Sequence, residues 1–253
     1  MPFSYTVHSY EDLSPRVRLI RMTAEDEKVP FECGQYVKII INGYDPRPFS
    51  IASTPENPDL EFYISRPAEG EAKGSLREFL TAELCAGQKL EIDGPFGQMM
   101  TPPQTKDEQP STIYGLAGGT GIAPIAALIT KILEQGHDGQ IVLYYGVRDE
   151  EDLFVLNDFQ NLAHKFENFR YEIILSDAAD HSRYRRGFAH EALIQDLGED
   201  ADLSAAAVYL SGPPVMVSAS LPPLLEKKLR AENLHTDREN LGESDLAILA
   251  KAS

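Results

Sequence analysis

Residues 114–129 read YGLAGGTGIAPIAALI. A strand-like run meets three glycines, and apolar residues at helical spacing follow. A strand that passes through a glycine turn into a helix opens a βαβ unit. Gly118, Gly119 and Gly121 let the backbone approach an anion, and a helix start offers it free N–H groups. Pro124 suits the first helical turn, where a missing N–H costs little. The pattern is not G-x-G-x-x-G and has no P-loop lysine. Taken alone, it is either a nucleotide cradle or a tight strand-to-helix turn.

The alternation continues outward from this segment. Strands are expected at 112–117, 140–146, 169–175 and 206–212. Helices are expected at 123–136, 152–166 and 188–198, and a last one begins with prolines at 222. This rhythm predicts a parallel sheet whose ligands sit beyond the carboxyl ends of its strands. Upstream, the segments at 5–13, 16–24, 36–41, 60–66 and 89–94 are short and rich in Val, Ile and Tyr. They predict an antiparallel barrel or sandwich. One helix interrupts them at 75–84, where Ser75 and Glu78 form a capping-box pattern. The polar, proline-bearing stretch 101–111 is read as a linker. It divides the chain into domains at 1–103 and 112–253.

The 253 residues carry 23 Lys and Arg against 40 Asp and Glu, a net charge of −17. That balance argues against nucleic acid and against anionic membrane surfaces as partners. No apolar run is long enough to span a membrane, and the N-terminus lacks a signal-peptide pattern. A cytoplasmic location is expected. Cys33 and Cys85 are the only cysteines, too few for an iron–sulfur cluster or a Cys-rich zinc site, and both are read as packing residues. The six histidines show no metal spacing and are read as surface residues. No metal is expected.

Further motifs lie along the chain. DPRPFSIAST (45–54) places a cation, a flat ring and a hydroxyl within four residues, as Arg47, Phe49 and Ser50. KGSLREF (73–79) starts a helix with Lys73, Gly74 and Ser75, either a phosphate cradle or a simple cap. DGPFGQ (93–98) is a glycine-flanked loop, and YLSGPPVM (209–216) bends rigidly at the end of the last strand.

In this order, RPFS, K-G-S, G-P-F-G, A-G-G-T-G-I-A-P, Y-Y-G-V-R and S-G-P-P-V-M resemble the ferredoxin reductase-like family of flavin-dependent NAD(P)H oxidoreductases. The resemblance runs from residue ~3 to ~235. Among members, it points to NAD(P)H:flavin reductases and to oxygenase reductase components without an iron–sulfur domain. It implies an antiparallel flavin-binding β-barrel followed by a parallel-sheet nucleotide-binding α/β domain. The implied cofactors are FAD, with FMN as the alternative, and NADH, with NADPH as the alternative.

The resemblance also implies roles. Arg47 would contact the flavin phosphate, which a guanidinium fork suits. Pro48 belongs to the same motif, Phe49 would lie against the isoalloxazine, and Ser50 would sit near flavin N5. Tyr63, Ile64, Ser65 and Arg66 would line the ribityl and phosphate side, and Lys73, Gly74 and Ser75 would face the phosphates. Gly118, Gly119, Thr120 and Gly121 would hold the nicotinamide nucleotide, and Gly212 and Pro213 would border its nicotinamide. Ser50 and Ser211 are the residues expected beside the reacting atoms.

Two departures from the family pattern stand out. Ser211 replaces the cysteine that often precedes Gly-Pro, and no aromatic follows Tyr209 to cover the flavin. The flavin face toward nicotinamide is therefore expected to be open or under a mobile tail, unless Phe96 or another upstream aromatic fills the gap or the tail folds as a helix over it. Asp149, Glu150, Glu151 and Asp152 would repel a ribose 2′-phosphate and favour NADH, while Arg148 works the other way. The expected reaction is hydride transfer from nicotinamide to flavin. The competing functions are a reductase passing single electrons to a separate ferredoxin or oxygenase component, and a non-catalytic electron-transfer or regulatory subunit.

Overall fold

The computed structural model describes residues 2–67, 74–99, 101–102, 109–236 and 241–252. Two six-stranded sheets follow one another along the chain. The first contains β1 (Phe3–Ser14), β2 (Val17–Ala24), β3 (Tyr36–Ile40), β4 (Arg47–Ser50), β5 (Asp59–Ser65) and β6 (Lys89–Phe96). These pair antiparallel in the order β4-β3-β6-β1-β2-β5. The chain just after β4 meets β5: Ala52 N donates to Glu61 O at 2.8 Å, and Glu61 N donates to Ser53 Oγ at 3.2 Å. The two edge strands thus close on each other, which removes open edges from a small antiparallel domain. Period-2 alternation sends Tyr5, Ile20, Met22, Val37, Leu60 and Phe62 to one interior.

The expected helix at 75–84 is shorter and irregular. A single turn, α1 (Leu76–Glu78), runs into a wider π-type turn at Phe79–Glu83. Ser75 caps it, accepting from Glu78 N at 3.2 Å, and Glu78 reaches back to Gly74 N at 2.6 Å.

The second sheet is parallel. Its core strands are β7 (Thr112–Gly118), β8 (Gln140–Val147), β9 (Phe169–Leu175) and β11 (Ala206–Ser211). Two short strands, β10 (Arg185–Arg186) and β12 (Leu234–Thr236), add to its edges, giving the order β10-β9-β8-β7-β11-β12. Helices α2 (Ile122–Glu134) and α3 (Leu156–Lys165) cover one face. Helices α4 (Ala189–Leu197) and α5 (Pro214–Glu226) cover the other. The chain moves one way across the sheet from β7 to β10, then returns to β11 on the other side of β7. The switch point lies between β7 and β11, where open parallel sheets form their ligand crevice.

Three expectations change. The last expected helix begins eight residues earlier, at Pro214, and Pro222 and Pro223 fall inside it. A proline at the first helical position is favourable. Burial of Met216, Val217, Leu221 and Leu224 against the sheet carries the helix past the internal prolines despite their missing N–H groups. Second, His137 is not a surface residue: it is buried beside Gln109 Oε1 at 3.2 Å, and burial lowers its basicity. Third, Cys85 is exposed rather than packed.

Cys33 is buried against α2, and burial pushes its thiol up to about 12. Thiol labelling of the native chain should therefore count one reactive group, Cys85, and a second only after denaturation. Two reactive thiols in the native protein would contradict this burial.

The tail forms a ten-residue helix of its own, α6 (Glu243–Ala252). Leu249 packs into the α5 side of the core, and Ser218 Oγ of α5 donates to Asp245 Oδ2 at 2.7 Å. The tail is helical, one of the expected alternatives, and its described contacts are with α5 and the turn at Ala231–Asn233.

Candidate functional site

The glycines at the exits of β7 and β11 bring two loops together. A Cβ on Gly121 would lie 2.5 Å from Ser211 O and 2.7 Å from Gly212 Cα. One on Gly212 would lie 2.9 Å from Gly118 N, and one on Gly118 would lie 2.7 Å from Pro213 Cδ. These three glycines serve loop-on-loop packing at the switch point. Gly119 differs: its φ is +54° and nothing lies near its missing Cβ. It supplies the left-handed turn and leaves open space beside the start of α2.

That space belongs to a cleft of about 890 Å³ between the two sheets. The size lies within the range of small-molecule sites. The parallel sheet contributes Gly118, Gly119 and Thr120, the exit of β8 and the start of α5. The barrel contributes the β1–β2 turn at Pro15–Val17 and the end of β5 at Ser65–Pro67. Val215 is 77% exposed and Phe188 55% exposed, and both line it. An apolar cleft with backbone N–H groups at a helix start suits a ligand that joins a flat ring to an anion.

Arg66 stands in the barrel wall of the cleft. Its guanidinium donates to Thr81 O at 2.9 Å and pairs with Asp12 Oδ1 at 2.7 Å. Arg18 grips the same carboxylate from the other side at 2.7 and 3.2 Å. Hydrogen bonding from Arg18, then the charges of both arginines, holds the Asp12 carboxyl below the usual range. Arg77 Nη1 donates to Ser65 Oγ at 3.2 Å.

Of the flavin- and nucleotide-contacting residues expected from sequence, the cleft gathers Ser65, Arg66, Gly118, Gly119, Thr120 and Pro213. Gly121, Ser211 and Gly212 lie one layer behind as packing partners. Arg47, Pro48, Phe49 and Ser50 form β4 and are not in the cleft lining. Across β3, Phe49 pairs with Val37 and packs on the barrel core, whereas Ser50 pairs with Tyr36 on the opposite face. Tyr36 in turn pairs with Phe96, their rings 5.7 Å apart. Tyr63 does not face open cleft: its ring meets Phe154 edge-on at 5.0 Å, and burial raises its hydroxyl. Ile64 turns into the barrel core at 1% exposure, which leaves only its backbone for a ligand. Gly74 and Ser75 cap α1 as described, with part of their hydrogen-bonding capacity already used. Lys73 lies outside the described residues.

The acidic run after β8 is also not what its composition indicates. Asp149 and Asp152 both pair with Arg16 of the barrel, at 3.0 and 2.8 Å. Asp149 also lines a smaller neighbouring pocket with Glu150, Glu151, Asp177, His181 and Arg183, so of the four only Glu150 and Glu151 are not paired with Arg16. Fewer unneutralised carboxylates than expected are therefore left to repel a ribose 2′-phosphate. No group of metal-binding side chains occurs among the described residues, and no described helix is long and apolar enough to cross a membrane.

Sequence reasoning missed Phe188 and Val215. Each follows a Gly or Pro at a strand exit and precedes or opens a helix, so the signal was present. Arg16 gave none, because its partners lie 133 and 136 residues away.

Comparison with known proteins extends this picture. Residues 116–221 match the Oxidoreductase NAD-binding domain family. The reductase component DmpP of phenol 2-monooxygenase from Pseudomonas sp. (strain CF600) is 30% identical over 254 residues, covering 97% of this chain and 69% of the relative. The NAD(P)H-flavin reductase of Vibrio harveyi is 27% identical, covering 84% of this chain and 88% of that protein. Among solved structures, the Amycolatopsis cytochrome P450 reductase GcoB superposes with a TM-score of 0.82 at 29% identity, over 94% of this chain and 69% of that one. A closed antiparallel sheet, a parallel sheet with a glycine-built switch point, and similarity along nearly the whole chain agree: the chain belongs to the ferredoxin reductase-like family of flavin-dependent NAD(P)H oxidoreductases.

Proposed function

We propose that this chain oxidises NAD(P)H, with NADH as the preferred donor, in the cleft between its two sheets. Reducing equivalents then pass to FAD held on the barrel and leave as reduced flavin or to a small acceptor. FMN and NADPH are the alternative cofactors. The observation that carries this reading is the cleft itself, at the carboxyl edge of the parallel sheet and walled on its far side by the barrel. When bound, the flavin supplies the redox chemistry by accepting hydride from the nicotinamide. The residues of this chain supply alignment. Gly119 and Thr120 at the start of α2 offer backbone donors to the pyrophosphate. Pro213 and Val215 shape the wall beside the nicotinamide. Arg47, Pro48, Phe49 and Ser50 hold the flavin from β4, with Tyr63, Ile64, Ser65, Lys73, Gly74 and Ser75 along its ribityl and phosphate side. Ser50 on β4 and Ser211 behind the glycine loops would be the polar residues beside the reacting atoms once both nucleotides are bound, and Ser211 is packed against the first loop at Gly121.

The barrel fits a flavin on one count that is independent of the family. Arg47 is exposed and makes no ion pair among the described residues, in a chain of net charge −17. A cation left unpaired amid such an excess of carboxylates is available to a phosphate.

A second reading is favoured by the relatives. The phenol 2-monooxygenase component is a reductase serving an oxygenase, so a separate ferredoxin or oxygenase component is the alternative acceptor. The chain spans about two-thirds of that relative's length. NADH oxidation measured with and without added FMN separates the two. Strong stimulation by free FMN supports the flavin reductase, and turnover only with an added protein acceptor supports the second reading. No turnover with either would overturn both.

Val215→Glu tests the cleft. The side chain is so exposed that folding is unaffected, while a carboxylate there opposes the nucleotide phosphates. The KM for NADH should rise about threefold to tenfold, corresponding to one unfavourable charge contact of roughly 1 kcal/mol in a partly hydrated site. An unchanged KM would place the nucleotide elsewhere.

A further inference from the structure

Asp152 is a carboxylate at 7% exposure in the loop that follows β8. Both of its side-chain partners come from the barrel. Ser14 Oγ donates to Oδ1 at 3.2 Å, and Arg16 Nη1 donates to Oδ2 at 2.8 Å. Arg16 also reaches Asp149, with Nη1 donating to Oδ1 at 3.2 Å and Nη2 lying 3.0 Å from Oδ2. Asp149 is itself fixed, since its Oδ1 accepts from Glu151 N at 3.1 Å. One guanidinium from the β1–β2 turn thus holds two carboxylates of the nucleotide domain.

The place of this contact matters. Arg16, Asp152 and Phe154 all line the cleft. Phe154 is in turn braced by Tyr63 of β5. The wall of the cleft formed by residues 149–154 is therefore fastened to the barrel at both ends. Elsewhere, the domains meet along α2, where Cys33 and Met99 join the apolar cluster that includes Leu128, and Lys131 pairs with Glu56. That second contact lies on the helix flank, and none of these residues lines the cleft.

From this arrangement we propose that Arg16 is a positioning residue: it latches the loop 149–154 to the barrel and so sets the width of the cleft for the nicotinamide nucleotide. A buried carboxylate without its partners must regain water. If the barrel moves away, Asp152 hydrates, its loop is released and the cleft widens. The latch thus converts domain separation into a two-state choice. It also neutralises two carboxylates that would repel a dinucleotide.

This inference rests on the cleft being the nucleotide site, and the experiment separates the two. Arg16→Ala, Arg16→Lys, Asp152→Asn and the double variant Arg16→Ala/Asp152→Asn are prepared in the full FAD-loaded chain. Each is assayed for NADH oxidation, with NADH affinity also measured by titration. Arg16→Ala should raise the KM for NADH about tenfold, within the usual span of coupling between sites, and change kcat less than KM. Arg16→Lys should recover most of the loss, since a cation in place can still bridge the carboxylates. The double variant should be no worse than Arg16→Ala, because both substitutions remove one interaction. Equal KM values for Arg16→Ala and wild type, or additive effects in the double variant, would overturn the latch. If Val215→Glu also leaves the KM unchanged, the cleft reading falls with it. If Val215→Glu acts and Arg16→Ala does not, the latch alone falls. Lowered kcat at constant KM, not rescued by lysine, would indicate a merely structural role and likewise overturn it.

Discussion

Replacing Gly121 by alanine will lower kcat/KM for NADH by roughly 10²-fold, the order expected when a reacting group is displaced by about 1 Å. The added methyl would meet Ser211 O at 2.5 Å, Ser211 C at 2.6 Å and Gly212 Cα at 2.7 Å. All three are backbone atoms at a strand exit, so no side chain can swing aside. The loop after β11 must retreat, and it carries Ser211, Pro213 and Val215 with it. Gly119→Ala is the control in the same turn. Nothing stands near its Cβ, and the cost is limited to a left-handed backbone of roughly 1–2 kcal/mol. That variant should lose stability while keeping more of its nucleotide affinity. Steady-state kinetics of the pair, with melting temperatures, decides the matter. If Gly121→Ala turns over like wild type, the two loops do not need their close approach. If both variants fail equally, the turn matters only as a turn.

The contrast shows what a sequence of this kind discloses. The glycines at 118, 119 and 121 were legible as a special turn, and the strand–helix rhythm around them placed it at the ligand edge of a parallel sheet. Their separate duties were not legible. Whether a missing Cβ makes room for a ligand or for Ser211 depends on a strand 90 residues later. The same holds for charge. Asp149 and Asp152 read as free carboxylates because Arg16 is remote in sequence, and only the closed fold puts it between them. Alternation in β4 does place Phe49 and Ser50 on opposite faces, but not which face meets the barrel core. Pairing with Val37 decides that. The start of α5 at Pro214 was missed because the prolines at 222 and 223 are the louder local signal, and apolar burial outweighs them.

The second large effect concerns Arg47. Substitution by alanine should weaken FAD binding by roughly 1.5–3 kcal/mol, or about 10- to 150-fold in Kd, the worth of a hydrogen bond to a charged group. Arg16, Arg18, Arg21, Arg66, Arg148, Arg185, Arg186 and Arg230 each have a carboxylate within 4 Å. Arg47 opens β4 on the surface and has none among the described residues. Surface ion pairs add little to stability in any case, so the melting temperature of the flavin-free variant should match that of wild type. The entire effect should fall on flavin binding. Lysine at the same position should restore part of the affinity, because it supplies charge without the planar fork that grips two phosphate oxygens. Fluorescence titration of the flavin-free chain with FAD measures all three proteins. A flavin-site role predicts the order wild type, then Arg47→Lys, then Arg47→Ala. Equal affinities would remove β4 from the flavin site, and a fall in melting temperature would reassign Arg47 to the fold.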